Sequence, residues 1–288
     1  MKILPSTEGR KPVLTIRLYK RHFVFLTFFI IIAFFGYLTY FKGFMVLPQT
    51  AINVLPEATF SLSDQRIVVV APHCDDEVLG AGGLIQKAIK SGSDVRVVMV
   101  TDCNYQKIGQ TRQGETKSAL GVLGLPSNKI IFLNFPEKAE KSKKNIGENV
   151  EMRAAMKTQF VKFDPTLVVL PHPEDTHIDH ATSGREGLKA LKENNSSAKV
   201  AYYLIHYNFL RYPNPSGLHL DKYLLPPARL ISWTDRWYKL DLTAEGEDLK
   251  EEAVLTYRSQ LRRSNPILYK ILLDFIRRNE LFMVEGTQ

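Results

Sequence analysis

The hydrophobic pattern divides the chain into three regimes. From Phe23 to Phe41 nineteen residues pass without a charge, and at about 1.5 Å rise per residue such a run spans roughly the hydrocarbon thickness of a bilayer. From Gly43 to about Asp64 no period is sustained, and Pro48 and Pro56 punctuate scattered polar positions, which reads as a linker. From Arg66 onward short β-branched runs alternate with longer amphipathic stretches, the pattern of a parallel sheet with crossover helices. Strands are expected at 67–71, 95–101, 130–134, 167–170 and 200–206, and helices at 80–90, 112–123, 150–163 and 182–193. Two later stretches, 249–263 and 267–278, also read as amphipathic helices. Such a βαβα series closes as a Rossmann-like layered α/β domain with a mainly parallel sheet and right-handed crossovers. Active sites in these sheets form at the carboxyl ends of strands.

Charge sharpens the picture of the N-terminus. Of a net charge of +8, residues 1–42 carry seven Lys/Arg against Glu8, so the rest of the chain is close to neutral. A nucleic-acid partner is therefore not expected, because the basic excess is not on the folded part. A cleavable signal peptide has a shorter apolar core and a small-residue cleavage site, and Lys42-Gly43-Phe44-Met45 offers none. A soluble core helix would be shorter or amphipathic. The run reads as an uncleaved anchor. Six basic residues precede it, and only Lys42 and Arg66 follow closely, so the positive-inside rule puts the N-terminus in the cytoplasm and the large C-terminal part outside it. The expected division is a basic segment 1–22, a transmembrane anchor 23–41, a linker 42–64 and a catalytic domain 65–288.

Two clusters carry the candidate chemistry. The run Ile67-Val68-Val69-Val70-Ala71 passes at once into Pro72-His73-Cys74-Asp75-Asp76-Glu77. Acids at a helix start can simply cap it, but three adjacent acids beside a histidine repel one another unless a cation is bound. About a hundred residues later Leu167-Val168-Val169-Leu170 runs into Pro171-His172-Pro173-Glu174-Asp175-Thr176-His177-Ile178-Asp179-His180. Two strand ends of one parallel sheet can face one crevice, so His73 and Asp76 can meet a histidine from the second loop around one ion. Two nitrogens, a carboxylate and an open position are what a catalytic zinc uses. The glycines at 80–83 lack P-loop spacing and are assigned to close helix packing.

Together, Pro72-His73-Cys74-Asp75-Asp76-Glu77 and His177-Ile178-Asp179-His180 resemble the signature of the LmbE / PIG-L family of zinc-dependent N-acetylglucosamine deacetylases. The resemblance runs from about Arg66 to Gln260, with support from Thr101-Asp102, Arg112, Glu115, His206 and Ser259-Gln260. It implies that His73, Asp76 and His180 bind Zn2+ or another divalent metal, and that Asp75 is the general base for a metal-activated water. It further implies that His177 stabilises the oxyanion or protonates the leaving amine, while Asp179 raises the pKa of His177 and keeps it charged. Arg112 and His206 become candidates for substrate contact. The implied partners are an N-acetylated sugar of the N-acetylglucosamine type, in a glycan, glycolipid or glycoconjugate, and the membrane through the N-terminal helix. The competing readings are hydrolysis of another amide such as a sugar-thiol conjugate, of a phosphoester, or a tethered carbohydrate-binding protein without turnover.

The sequence departs from the family at Cys74, where proline is usual, which bears on the stiffness of the turn. Cys103 follows the second strand as Cys74 follows the first. Neighbouring parallel strands are about 4.8 Å apart, so a disulfide is geometrically open, although two unpaired small residues is the simpler expectation. His172 and His219 receive no role.

Overall fold

The computed structural model describes residues 19–43, 47–137, 149–207, 212–213, 222–232, 236–261 and 266–284. The chain forms two compact units, residues 1–45 and 46–288. In the first, one helix, α1 (Lys20–Gly43), covers the apolar run, and none of its described side chains is buried. Its 24 residues give about 36 Å of helix, so by length and composition it is a candidate span. His219 and residues 1–18 of the basic segment lie outside the described residues.

The second unit is built on a seven-stranded sheet. Its strands are β1 (Arg66–Ala71), β2 (Asp94–Thr101), β3 (Ile130–Phe135), β4 (Leu167–Pro171), β5 (Lys199–Tyr203), β6 (Arg236–Asp241) and β7 (Asn279–Val284). Its helices are α2 (Asp76–Lys90), α3 (Gly109–Val122), α4 (Val150–Phe163), α5 (Ile178–Glu193), α6 (Ala244–Leu255) and α7 (Pro266–Leu273). The spatial order is β3-β2-β1-β4-β5-β7-β6. The first five strands are parallel, with Val69 opposite Val97 on one side and Val169 on the other. β7 runs antiparallel to both of its neighbours, β5 and β6. β1 and β4 are buried almost end to end, as strands covered on both faces must be, which is why they read as unbroken Val/Ile/Leu runs.

This order places a topological switch between β1 and β4. The chain winds outward from β1 through β2 to β3, then returns to lay β4 on the other side of β1, and the connections diverging there open a crevice at the carboxyl ends of these two strands.

Several expectations are corrected. α2 begins at Asp76 rather than Gly80 and is broken at Ala81, where φ is −144° and ψ 16°. β5 stops at Tyr203 rather than His206, and α6 spans Ala244–Leu255 rather than 249–263. β6 and β7 have no counterpart in the expected series, because an antiparallel edge pair carries only weak alternation. The stretch read as a linker packs on the domain: Ile52 and Phe60 are buried, Phe60 meets Phe282 edge-on, and Ala58 N–H donates to the Lys239 carbonyl. Two apolar anchors among polar residues suffice to dock a segment that has no period of its own.

Glycine is required where helices come closest to the strands that bear the site. A Cβ on Gly80 would lie 2.2 Å from the Tyr203 ring, and one on Gly184 would lie 2.2 Å from the Pro171 carbonyl oxygen. The break in α2 is repaired from the C-terminal part of the chain. There Glu280 accepts the Gly83 and Leu84 amides at 2.7 and 2.9 Å, and Lys250 donates to the Leu79 carbonyl at 3.0 Å and to Glu280 at 2.6 Å. This buried pair satisfies backbone groups that the break leaves without helical partners.

Candidate active site

The first wall of the crevice is the turn after β1. Its carbonyls and side chains are gripped on every side: Pro72 O accepts the amide and hydroxyl of Thr101 at 3.0 and 2.7 Å, and Cys74 O accepts from Arg112 at 2.9 Å. The Cys74 side chain is bonded to Cys103, so the expectation of two unpaired cysteines is corrected. Two side chains at neighbouring strand ends both point inward and meet. Asp75 then takes φ 143°, a conformation that an L-residue holds only when its surroundings impose it. Its amide donates to Glu77 Oε2 at 3.1 Å, and the other Glu77 oxygen accepts from the Tyr257 hydroxyl.

The second wall is the loop from β4 into α5. Asp175 organises it, accepting the amides of His177 at 2.8 Å, Ile205 at 3.2 Å and His206 at 3.0 Å. His177 caps α5, its Nδ1 accepting from the Asp179 amide at 3.3 Å. Asp179 and His180 follow in the first turn of α5, both buried.

Across the crevice the two walls touch. His180 Nε2 lies 3.1 Å from His73 Nδ1 and 3.0 Å from Asp76 Oδ2, and His73 Nδ1 lies 3.3 Å from Asp76 Oδ2. A proton can satisfy only one edge of this triangle, whereas a cation satisfies all three corners. Ligand atoms about 2.0–2.1 Å from a tetrahedral centre are separated by about 3.3 Å, so the donor set and spacing fit a divalent metal. Two looser trios also exist, His73–His177–His180 and Asp175–His180–His206, each with ligand atoms within 4.8 Å of one another. The compact triangle is preferred because its edges match that spacing and because it includes a carboxylate.

Electrostatics point the same way. Burial works against charge on Asp76, yet His180 and His73 hold its carboxyl well below the usual range. Burial likewise opposes charge on the histidines, but Asp179 and Asp76 push His73 up to about 9, and Asp76 and Asp175 push His180 well up. The pocket therefore stabilises positive charge at its centre. Asp75 is different: burial pushes its carboxyl up to about 7 against the pull of Arg112, which leaves it able to exchange a proton near neutrality.

Three expectations change. Arg112 is buried, with its fork filled by Glu137 at 3.2 and 3.3 Å, by Cys74 O, and by Asp75 at 3.6 Å. Its two Nη atoms serve the turn and the carboxylates, while its Nε has no hydrogen-bond partner among the described residues. The Asp179 carboxylate lies 3.3 Å from His73 Nε2, so it supports that ring. His177 is not held charged: burial, then the charges of His73, His180 and His206, push it down to about 2 despite Asp179. Its Nδ1 accepts a backbone amide, so the neutral ring carries its proton on Nε2, a hydrogen-bond donor. His206 stands 4.5 Å from the His180 ring and 5.1 Å from the His177 ring, with part of its side chain exposed. His172 stacks on Trp237, a packing role.

Some contributors could not be read beforehand. Asp175 had only its place two residues before His177 to mark it. Glu77 was legible as the third acid of its cluster but not as the partner of the Asp75 amide, whereas Glu137 and Tyr257 had no distinguishing local pattern and come from segments remote in sequence. Glu115 accepts both the amide and hydroxyl of Ser259 at 2.8 and 2.6 Å, which explains why two short elements of the family resemblance occur together.

Fold and site thus define an α/β protein of the doubly wound type with a carboxylate–histidine centre, suited to a divalent cation, at its topological switch. Residues 68–191 match the family model described as PIG-L, GlcNAc-PI de-N-acetylase. It is 27% identical over 139 residues to a diacetylchitobiose deacetylase of Thermococcus kodakarensis, a match covering 44% of this chain and 49% of the relative. The match therefore spans about half the length of that curated relative. Among solved structures, N,N'-diacetylchitobiose deacetylase of Pyrococcus horikoshii is similar with a TM-score of 0.53 at 21% identity, covering 78% of this chain and 87% of that one. The A40926 pseudoaglycone deacetylase is similar with a TM-score of 0.57 at 18% identity, covering 78% of this chain and 100% of that one. These two likenesses establish the fold.

Proposed function

We propose that this protein is a metal-dependent amide hydrolase that removes the acetyl group of an N-acetylated sugar. The observation that carries the reading is the placement of Asp75 beside the His73–Asp76–His180 triangle with its carboxyl pushed up to about 7. Zinc, held by His73, Asp76 and His180, would supply a Lewis acid and lower the pKa of a coordinated water toward neutrality. Asp75 accepts the proton of the attacking water and can return it to the leaving amine. His177 offers Nε2–H to the oxygen that becomes negative in the transition state, a donor worth about 2.7–4 kcal/mol when preorganised. Asp179 holds the His73 ring, and Arg112 keeps the Asp75 carboxyl from rising further. His206, at the open side of the crevice, is assigned to substrate contact. The family match and the sugar deacetylase among the curated relatives support the choice of substrate class.

The test is release of acetate from N-acetylglucosamine substrates by the metal-loaded protein. Asp75→Asn should abolish the release while the metal stays bound. A metal-loaded protein inert on every acetylated sugar would sink the proposal.

We further propose that α1 is an uncleaved anchor, with the N-terminus cytoplasmic and the domain on the extracytoplasmic side. Charge asymmetry supports this, and so does the Cys74–Cys103 bond, since disulfides persist in oxidising compartments. Protease protection in intact cells checks the sidedness: a domain shielded from external protease after removal of any outer envelope would reverse it.

A further inference from the structure

Beside the proposed catalytic centre, at the carboxyl ends of β2 and β3, lies an open groove of about 570 Å³, within the ~300–1,000 Å³ of typical ligand pockets. Asp102, Asn104, Lys107, Gln110, Gln113 and Asn134 are among the residues that line it. Its wall is knit by its own amides: Gln113 donates to Asp102 O and to Asn134 Oδ1, and Asn104 Oδ1 accepts the Gly109 amide. The groove is therefore preformed. Gln110, Thr111 and Lys107 make no side-chain hydrogen bond among the described residues and keep their donors and acceptors for a ligand.

The groove is joined to the catalytic crevice through one residue. The Glu137 amide donates to Asp102 Oδ1 at 3.2 Å, while the Glu137 carboxylate stands 4.0 Å from His73 Nε2 and accepts the Tyr105 amide at 2.8 Å. From β1 to β3 is two strand spacings, about 10 Å, a step that a neighbouring ring or two of a linked sugar chain bridges. Tyr105 follows the lining residue Asn104 along the chain, and its side chain is 62% exposed. An exposed aromatic ring offers an apolar face to the C–H face of a pyranose, and the amides and hydroxyl that line the groove match the sugar's hydroxyl edges. Among the described lining residues the carboxylate of Asp102 stands against the ammonium of Lys107, so the described wall has no net charge with which to select a strongly anionic ligand.

We infer that this groove is a subsite for the sugar units adjoining the one that is deacetylated, so that the substrate is an oligomeric or polymeric glycan rather than a single sugar or a small sugar conjugate. This rests on the deacetylase reading. The experiment uses the full-length, zinc-loaded protein in detergent, with β-linked N-acetylglucosamine chains of one to six units. kcat/KM should rise roughly 10- to 100-fold from monosaccharide to tetrasaccharide, the worth of a few neutral hydrogen bonds and one ring contact. Tyr105→Ala and Gln110→Ala, whose side chains leave the fold's own hydrogen bonds untouched, should remove most of that rise, costing the tetrasaccharide at least about tenfold more than the monosaccharide. A flat dependence on chain length, or variants that lose equally on both substrates, overturns the inference and leaves the deacetylase reading intact. Failure of that reading is recognised separately, as no acetate from any chain length. In that case calorimetric binding of the tetrasaccharide decides the groove: binding lost in Tyr105→Ala upholds it, and no binding to the native protein ends it.

Discussion

Asp175 Oδ2 lies 3.2 Å from Nδ1 of His180, the nitrogen on the far side of the ring from the one that meets His73 and Asp76. The pair is within ion-pair reach but off the line of a hydrogen bond, His180 Nδ1 having no aligned partner. The same carboxylate stands 3.4 Å from His206 Nδ1 and accepts the His177 amide. One buried acid thus stands against three histidine residues of the site, and His180 and His206 in turn hold its carboxyl well below the usual range against the effect of burial.

Asp175→Asn should therefore weaken metal binding by roughly 10- to 100-fold, the usual cost of losing a carboxylate behind a ligating histidine. Competition with a chromogenic chelator measures it. An unchanged metal affinity would remove Asp175 from the site.

Asp75 can serve as a base only when ionised, so activity should fall as pH drops through about 7. Arg112 is the main group pulling that value down, and Arg112→Gln should shift the acid limb of the kcat/KM profile to higher pH. A limb that stays put would mean that Asp75 is not the titrating group.

The same shift has a consequence for stability with the opposite sign. The folded pKa of Asp75 lies above its ordinary 3.8, so the folded state holds a proton that the unfolded chain releases, and ionisation opposes folding. That cost is absent below 3.8 and complete above about 7. In metal-free protein, Asp75→Asn should be inactive yet gain stability relative to the native chain as pH rises across this window, as thermal melts at pH 4 and pH 8 would report.

Tyr257 reaches the site from beyond α6, and its hydroxyl meets the Glu77 carboxylate that accepts the Asp75 amide. Tyr257→Phe leaves that buried carboxylate short of a partner and should cost about 1–3 kcal/mol of stability. If Glu77 positions Asp75, kcat should fall with KM and metal content nearly unchanged. Loss of stability with kcat intact would restrict Tyr257 to packing.

The Cys74–Cys103 bond closes a loop of sequence separation 29, for which the chain-entropy relation gives about 3–4 kcal/mol. Cys103→Ala should lower the midpoint of chemical denaturation accordingly, and because the bond adjoins His73 and Asp75 it should also depress activity under native conditions. Equal midpoints for the variant and the native protein would show that the bond contributes nothing.

Much of this was legible because it is local. The run from Ile67 to Ala71, ending in a histidine and acids, announced a buried strand with its chemistry at the carboxyl end, and α4 fell exactly on its expected bounds. The edge strands β6 and β7 were hidden, since Trp237 and Met283 become partners only across a turn of tertiary structure. Arg112 shows the limit within the site: its position on α3 was readable, but only packing reveals that its fork is filled by Glu137 and the Cys74 carbonyl.

By itself the sequence determined the apolar helix, the α/β alternation and the inventory of ligands and acids at two strand ends, because each of these is written in residue order within a few turns of chain. Only the tertiary structure decided that β1 and β4 are neighbours, that Asp179 faces His73, that Asp175 ties the loop after β4 to the chain leaving β5, and that Cys74 finds Cys103. Those relations depend on which strands pair and how closely helices approach them. Burial, which turns the carboxyl of Asp75 into a group that titrates near neutrality and discharges His177, is a property of the assembled core and of no segment alone.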